Sequence, residues 1–373
     1  MDSLLVGITS LTWQQIVMML IGGGLIYLAI SKEYEPALLL PIGFGAILAN
    51  IPFSAALDQM NGGEKVEGVL NIFFNAGIMT EIFPLLIFVA VGAMIDFSPL
   101  LKKPYLLLFG AAAQFGIFFT MSAAALFGFS IKQAASIGII GAADGPTSIY
   151  VATRFAKDLL GPISVAAYSY MALVPIIQPP VIKLLTSRKE RLIRMEGHAK
   201  AVSKTTLIVF PIIVTIVAGI VAPSSAALIG FLMFGNLIRE CGVLNKLSLS
   251  AQNELASLVT ILLGITIAAT MTAEKFLQPT TLIIIALGLV AFIFDTAGGV
   301  LFAKFLNLFL KKKINPMIGA AGISAFPMSA RVIHKMGQDE DQFNYLLMHA
   351  VSANVAGQIG SVIAGGLILA LVV

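Results

Sequence analysis

An aspartate followed by a helix-breaking Gly-Pro pair stands within an apolar part of the chain. The segment from Ile140 to Arg154 reads IGAADGPTSIYVATR, and its acid is Asp144. Asp before Gly-Pro is a good start signal for a helix, because the carboxylate accepts hydrogen bonds from the first turn. An ionised carboxylate deep in a bilayer costs about 3 kcal/mol unless a cation or a proton satisfies it. We therefore expect Asp144 to cap a half-helix and to bind a hard cation, with Thr147 and Ser148 as neutral oxygen ligands.

A second segment rich in small residues aligns with the first when one gap is allowed. From Ile318 to Arg331 it reads IGAAGISAFPMSAR, and Asn315 precedes it. Ser324 and Asn315 are candidate ligands, although serine and asparagine beside glycines are also typical of close helix packing. Arg331 can pair with a carboxylate or bind an anionic substrate, or it can extend from a helix end into water.

Other polar residues interrupt otherwise apolar stretches. Tyr168 and Tyr170 lie in such a stretch, where a buried hydroxyl needs a partner, so both are candidates for ion binding or proton donation. Asp295 is a second acid, ranked below Asp144 because nothing around it breaks the helix. Asn354 either lines the same cavity or packs a helix crossing.

The composition places these residues in a membrane protein. The chain is 58% hydrophobic and 11% charged, with a mean hydropathy of +0.96. Apolar stretches of roughly 18 residues or more recur along its whole length, as transmembrane helices require. We predict an all-α polytopic membrane protein with about ten transmembrane helices.

Two segments fit poorly as simple crossings. Residues 133–155 and 315–335 are rich in Gly, Ala and Ser, and each contains a proline. Both are too short and too polar to cross the bilayer twice, so we predict two re-entrant, broken-helix hairpins that enter from opposite faces. Backbone groups freed at such breaks would be unpaired in lipid, and they can coordinate an ion instead.

Four pairs of similar segments occur in the same order at nearly constant offset, which indicates an internal duplication. Each half has an odd number of crossings, so the repeats are expected to be inverted, as in secondary transporters. We predict a first repeat over 13–183, a basic cytoplasmic linker over 184–204 and a second repeat over 205–372. Besides the two hairpins, the matching pairs are Gly92–Pro104 with Ile267–Pro279, Gly43–Leu48 with Met233–Ile238, and Ala167–Val174 with Ala350–Gly357.

The basic residues set the expected orientation. Placing the linker in the cytoplasm puts most of the 23 Lys and Arg residues on that side, as the positive-inside rule requires. Both termini then face outward, and the first span lacks the cleavage site of a removable signal. The five exceptions are Lys65, Lys132, Arg154, Lys157 and Lys275.

Several function classes are disfavoured. The single cysteine, Cys241, excludes an internal disulfide, and the three histidines are too widely separated for a zinc site. No P-loop, nucleophile elbow or paired catalytic carboxylates occur. Energy for any pumping must therefore come from an ion gradient or from chemistry on another subunit.

Four long stretches resemble one family closely. Gly141–Met195, with DGPT and AYSYMALVPIIQPP, looks like the signature of beta subunits of sodium-transporting carboxylic acid decarboxylases. FGNLIRECGV, KINPMIGAAGISAFPMSARV and LLMHAVSANVAGQIGSVIAGG resemble the same family, so the similarity spans nearly the whole chain. Overall likeness and length favour the shorter forms that serve methylmalonyl-CoA and glutaconyl-CoA decarboxylases.

The resemblance implies a mechanism and assigns residues. A partner carboxyltransferase loads carboxybiotin on a carrier, and the beta subunit decarboxylates it, consumes a proton and exports sodium. The family's functional residues fall on Asp144, Asn315, Gly319 and Ser324 for sodium, on Tyr170 for sodium or proton transfer, and on Arg331 for the carboxybiotin carboxylate.

The implied surroundings are those of a membrane complex. Expected partners are a carboxyltransferase, a biotin carrier, a small membrane-anchored subunit and lipid, with no nucleic acid and no prosthetic group held by this chain. A homo-oligomer in the bacterial cytoplasmic membrane is expected.

Two alternative functions stay open. A secondary sodium-coupled carboxylate transporter would need no biotin protein, and a non-catalytic scaffold would use its polar tips only for packing.

Overall fold

The structure is a computed structural model that describes residues 2–33, 36–61, 64–102, 104–195, 202–221 and 223–372. Part of the predicted linker, 196–201, lies outside these ranges. The first half contains α1 (Asp2–Thr9), α2 (Trp13–Ser31), α3 (Pro36–Ala49), α4 (Val69–Phe73), α5 (Ile82–Met94), α6 (Ser98–Lys102), α7 (Leu107–Ala112), α8 (Phe115–Leu126), α9 (Ile131–Gly138), α10 (Gly145–Phe155) and α11 (Leu160–Leu185).

The second half begins in the linker. It contains α12 (Arg188–Arg191), α13 (Lys204–Val221), α14 (Ala226–Glu240), α15 (Asn245–Ser250), α16 (Ala256–Ile267), α17 (Ala273–Phe276), α18 (Pro279–Phe309), α19 (Met317–Ala320), α20 (Met328–Glu340) and α21 (Leu347–Leu371). Short 3₁₀ turns lie at Pro104–Leu106, Ile139–Ala142, Lys157–Leu159, Pro223–Ser225 and Ala268–Thr270, and π turns at Phe74–Ile78 and Ala251–Leu255.

Six helices of the described residues are long and apolar enough to cross a membrane, and eight are if two bent pairs each count as one span. A predominantly helical, polytopic membrane protein is therefore confirmed. The six are Trp13–Ser31, Pro104–Leu126, Lys204–Val221, Asn245–Thr270, Pro279–Phe309 and Leu347–Leu371.

The two bent pairs have local causes. Between Val69–Ile78 and Ile82–Met94 the axis turns by 60°, where Glu81 adopts a left-handed conformation (φ 66°). Within α11 the axis turns by 66° after Met171. Pro175 explains this bend, because its ring removes a backbone donor and crowds the carbonyl four residues earlier.

The helices pack as two groups. A flanking group consists of α2–α5 and α13–α16, in which α3 packs on α16 and α5 packs on α14. A hairpin group consists of α7–α11 and α18–α21, in which α8 and α11 pack on α18, and α7 packs on α21. The largest buried apolar cluster includes Ala143 and Ile323 at the two breaks and extends into both helix groups, so the predicted hairpins lie within the core.

One small sheet departs from the all-helical expectation. Strands β1 (Gln59–Asn61) and β2 (Glu64–Val66) pair antiparallel, with Gln59 opposite Val66. Lys65 Nζ lies 2.8 Å from Asp58 Oδ2 beside this ribbon. The sequence analysis predicts no strand here, because most residues of this segment are polar or glycine and they form no apolar pattern.

Candidate functional site

Asp144 lies at the break between two helical arms. The first arm is α9 with the 3₁₀ turn that continues it to Ala142, and the second is α10. Ala143 is left-handed (φ 51°) and Asp144 is extended, so the helix stops there. Asp144 Oδ1 accepts a hydrogen bond from the Thr147 backbone N–H at 3.2 Å. One carboxylate oxygen thus caps α10, which leaves the other for different partners.

Three hydroxyl groups converge on that other oxygen. Asp144 Oδ2 lies 2.7 Å from Thr147 Oγ1, 2.7 Å from Ser361 Oγ and 3.2 Å from Ser324 Oγ. The two serine hydroxyls are 3.1 Å apart. None of these four side chains is more than 5% exposed. The arrangement is a compact, buried set of oxygens, of the kind that a hard cation binds.

The two hairpin breaks touch each other. Ser324 N donates to the carbonyl of Ala142 at 2.9 Å, across the gap between the second break and the first. From α21, Asn354 Nδ2 donates to the Ile323 carbonyl at 2.7 Å, and the Gln358 amide donates to the Ser324 carbonyl. Backbone carbonyls and amides freed by both breaks are therefore bonded to one another and to α21, which fixes the position of Ser324 beside Asp144.

The charge of Asp144 is not balanced by a basic side chain. Among the described residues, no Lys, Arg or His forms an ion pair with it. Hydroxyl groups stabilise a carboxylate only partly, since they are neutral dipoles. A small cation would balance this charge. The same hydroxyl groups could turn and coordinate it through their oxygen lone pairs.

A cavity of about 230 Å³ adjoins the oxygen cluster. Its walls come from both helix groups: Asp144, Ser324 and Tyr168 on one side, and α3, α5 and α16 on the other. The flanking group contributes the beginning of α3 at Leu38, the end of α5 at Met94 and the beginning of α16. The cluster thus lies at the boundary between the two groups.

Tyr170 points away from this cluster. Its hydroxyl donates to the carbonyl of Ile285 in α18, and its ring packs against Gly288. Tyr168, two residues earlier on the same helix, lines the cavity instead.

Asn315 lies at the base of the second hairpin, against the linker. Its Nδ2 donates to the carbonyls of Arg191 at 2.8 Å and Ile193 at 3.0 Å, while its Oδ1 accepts from Met317 N at 3.1 Å. Arg191 in turn bonds Glu340 Oε1 at 2.6 Å. Asn315 thus ties α12 to the base of the hairpin and does not contact Asp144.

A second ion pair fastens the same linker. Arg194 Nε lies 2.6 Å from Asp341 Oδ2, and this hydrogen bond holds the pKa of the Asp341 carboxyl below its usual value. Because the pKa of Asp341 is lower in the folded protein than in the unfolded chain, the ion pair stabilises the attachment of the linker at pH values above the unfolded-state pKa. This stabilisation is lost as the pH falls through the folded-state pKa of Asp341.

We expect the Asn315→Ala variant to loosen the linker. It loses three side-chain hydrogen bonds, of which the two to the linker are worth about 1 kcal/mol each. Trypsin is therefore expected to cleave after Arg191 and Arg194 roughly tenfold faster, as measured on gels of the purified protein. Asn253→Ala is the control, since Asn253 is exposed and bonds only its own helix at Leu249. Equal cleavage rates in wild type and Asn315→Ala would contradict this role.

Gly319 is a close-packing residue in α19. A Cβ atom on it would lie 2.0 Å from the carbonyl oxygen of Gly299, and the reverse contact has the same distance. The backbones of α19 and α18 therefore touch directly, and Gly319 lies outside the oxygen cluster.

Arg331 is exposed on α20, one turn after the break. The ion pairs of the described residues do not include it. Its guanidinium is thus available to an anion that approaches α20, at a separate place from the Asp144 cluster.

Asp295 occupies a second buried position. Its Oδ1 accepts from Ile117 N at 3.2 Å, at the beginning of α8, and its carboxyl lies between Gly116 and Gly141. Asp295 thus accepts a hydrogen bond from a backbone N–H at the beginning of a different helix, α8, and does not contact Asp144.

Ser361 is the cluster member that sequence reasoning missed. It lies seven residues after Asn354, which was already a candidate, and positions seven apart share one face of a helix. That spacing was the available signal, but nothing local distinguishes Ser361 from the other serines of α21.

Comparison with known proteins matches nearly the whole chain to one family. The sequence model described as the Na⁺-transporting oxaloacetate decarboxylase beta subunit matches residues 14–372. The methylmalonyl-CoA decarboxylase subunit beta of Propionigenium modestum is 50% identical over 382 residues, which cover 98% of this chain and 96% of the relative.

Two further relatives agree. The glutaconyl-CoA decarboxylase subunit beta of Acidaminococcus fermentans is 53% identical over 366 residues, covering 98% of this chain and 95% of that one. The oxaloacetate decarboxylase beta chain of Klebsiella pneumoniae is 46% identical over 417 residues, covering 97% and 96%. The chain therefore belongs to the family of beta subunits of sodium-transporting decarboxylases.

Proposed function

We propose that this chain is the membrane subunit of a biotin-dependent decarboxylase complex, in which it decarboxylates carboxybiotin and exports sodium. The observation that carries the proposal is the buried Asp144 carboxylate, whose Oδ2 is surrounded by three hydroxyl oxygens at 2.7–3.2 Å where two broken helices meet. Membership of a family of sodium-transporting decarboxylase subunits supports sodium as the ion and decarboxylation as the reaction.

In this proposal sodium is the cargo and binds at Asp144, Thr147, Ser324 and Ser361. Asn315 and Gly319 hold the second hairpin in place, so their contribution to sodium binding is indirect. Tyr170 stabilises the contact between α11 and α18. Arg331, exposed on α20, binds the carboxylate of carboxybiotin that a partner delivers, since a guanidinium forms paired hydrogen bonds with carboxylates.

Coupling requires that sodium bind two conformations differently. The cluster lies between the flanking and hairpin groups, so sliding of one group against the other would change which side reaches it. Moving one charge against 100 mV costs about 2.3 kcal/mol, and a decarboxylation that releases several times this amount suffices for one or two ions.

We further propose ten crossings in two inverted repeats over 13–183 and 205–372. The helices correspond in order: α2, α3, α5, α8 and α11 with α13, α14, α16, α18 and α21. Contacts support the correspondence. Gly45 aligns with Gly235, and Ala93 aligns with Ala268. A Cβ on Gly45 would lie 2.5 Å from Ala268 Cβ, and a Cβ on Gly235 would lie 2.9 Å from the backbone nitrogen of Ala93. Such exchanged contacts are what a pseudo-two-fold axis produces.

The proposed orientation has the linker in the cytoplasm and both termini outside, in the bacterial cytoplasmic membrane. The cavity beside Asp144 is lined by the beginnings of α3 and α16 and the end of α5. The beginning of α3 and the end of α5 adjoin loops that the basic residues place in the cytoplasm, so in this proposal the cavity admits sodium from inside.

The proposed partners are a carboxyltransferase, a biotin carrier and a small membrane-anchored subunit, with several copies of this chain per complex. An acyl-CoA substrate is favoured, because identity is 50–53% to the methylmalonyl-CoA and glutaconyl-CoA relatives and 45–46% to the oxaloacetate ones.

The deciding experiment is reconstitution of the complex with its carboxyltransferase and biotin carrier in vesicles. We expect uptake of radioactive sodium when methylmalonyl-CoA or glutaconyl-CoA is decarboxylated, and its loss when avidin blocks biotin. Sodium-dependent uptake of a labelled carboxylate without any biotin protein would instead identify a secondary transporter.

Removal of the Ser361 hydroxyl tests whether this residue is a sodium ligand. Ser361→Ala takes away an oxygen 2.7 Å from Asp144 Oδ2, and a bond to a charged group is worth about 1.5–3 kcal/mol. We expect the sodium concentration for half-maximal decarboxylation to rise at least tenfold. Ser352→Ala is a matched control in the same helix, since that buried hydroxyl bonds only Met348 of its own helix. Equal sodium dependence of both variants would remove Ser361 from the site.

A further inference from the structure

Tyr168 is held against the backbone beside the candidate ion site. It is 2% exposed, and its ring contacts Gly145, the residue after Asp144. A Cβ on Gly145 would lie 2.1 Å from Tyr168 Cε1 and 2.3 Å from Cζ. The absence of a side chain at Gly145 therefore lets the phenol edge approach the break directly.

The hydroxyl of Tyr168 has no hydrogen-bond partner among the described residues. Leaving a buried hydroxyl unpaired costs about 1–3 kcal/mol, and a phenylalanine ring would fill the same space without that cost. Such a group calls for an explanation. Tyr168 lines the cavity together with Asp144 and Ser324, so an ion bound beside Asp144 is the candidate partner for its hydroxyl.

The neighbouring tyrosine differs in every respect. The hydroxyl of Tyr170 is bonded to the Ile285 carbonyl, and the cavity lining does not include it. Of the two tyrosines, only Tyr168 both lines the cavity and has a hydroxyl without a partner among the described residues.

We propose that the Tyr168 hydroxyl is a further oxygen ligand of the sodium ion bound at Asp144. This inference rests on the proposed function and deepens it. The other oxygens come from the two hairpin breaks and α21, whereas Tyr168 comes from α11 and enters from the cavity side. Sodium binding would draw this hydroxyl onto the ion, satisfy it and close the cavity side of the cluster.

The test compares Tyr168→Phe with its matched control Tyr170→Phe in the purified complex. We expect Tyr168→Phe to weaken equilibrium sodium binding, read from sodium-dependent thermal stabilisation, at least tenfold, and to raise the KM for sodium similarly while kcat stays within about twofold. Tyr170→Phe is expected to leave sodium affinity within about twofold.

The melting temperatures of the two variants without sodium give an independent test. Tyr168→Phe is expected to melt at the same or a higher temperature, because it removes an unpaired hydroxyl, whereas Tyr170→Phe loses a hydrogen bond and melts lower. A marked loss of stability in Tyr168→Phe would overturn the premise, and unchanged sodium affinity would overturn the proposal.

Asp144→Asn in the same binding assay separates the two claims. If Asp144→Asn abolishes sodium binding while Tyr168→Phe leaves it unchanged, the ion site stands and only the tyrosine assignment is wrong. If Asp144→Asn binds sodium as the wild type does, the proposed site itself is wrong.

Discussion

The Asp144→Asn variant is expected to fold and to lose sodium-dependent decarboxylation by at least a hundredfold. Asparagine caps helices as well as aspartate does, so its Oδ1 can still accept from Thr147 N and α10 is preserved. The negative charge is lost, however, and removing one partner of a buried charge pair costs about 3–5 kcal/mol. The measurement is sodium-stimulated decarboxylation by the reconstituted complex, with sodium titrated over several orders of magnitude.

Asp295→Asn is the control for loss of a buried carboxylate. Asp144 and Asp295 are the two buried acids of the described residues, but Asp295 bonds the beginning of α8 and lies outside the oxygen cluster. We expect this variant to keep its sodium dependence. Retention of full activity and unchanged sodium affinity by Asp144→Asn would contradict the central assignment.

The second large effect is expected from Gly319→Ala. Its new methyl group would lie 2.0 Å from the Gly299 carbonyl oxygen and 3.0 Å from Val300 N, which are rigid backbone atoms of α18. Helix α19 must therefore move away, and overpacking of this kind costs about 1–3 kcal/mol. We expect a lower melting temperature of the purified protein and a lower yield of folded protein in the membrane.

Gly24→Ala serves as the comparison for that variant. Gly24 lies in α2, and a methyl group added there would have no neighbouring atom within 4 Å. Alanine at this position is therefore expected to be neutral or to stabilise the helix by up to about 1 kcal/mol. If Gly319→Ala kept its stability and lost only sodium affinity, Gly319 would belong to the ion site, as the family resemblance implies.

Agreement between sequence and structure is greatest where the signal is local. Burial of apolar surface makes long apolar runs helical and membrane-spanning, and six to eight candidate spans were found. The Gly-Pro pair after Asp144 predicted a helix start, and the carboxylate caps α10. The count of ten spans and the inverted repeats stay predictions, although matching helices and exchanged glycine contacts support them.

Disagreement is greatest where distant residues meet. Asn315 and Ser324 are near neighbours in the chain, yet Asn315 bonds the linker 122 and 124 residues away while Ser324 reaches Asp144 across 180 residues. Tyr168 and Tyr170 are two residues apart and face different surroundings, because successive helical positions point about 100° apart.

The sequence by itself determined that this protein is a helical membrane protein with a carboxylate at a helix break, because apolar length and Gly-Pro chemistry act within a few residues. Only the tertiary structure decided which oxygens share that carboxylate. Ser361 comes to it from 217 residues away, and such contacts depend on how α21 packs on both hairpins, which no local pattern encodes.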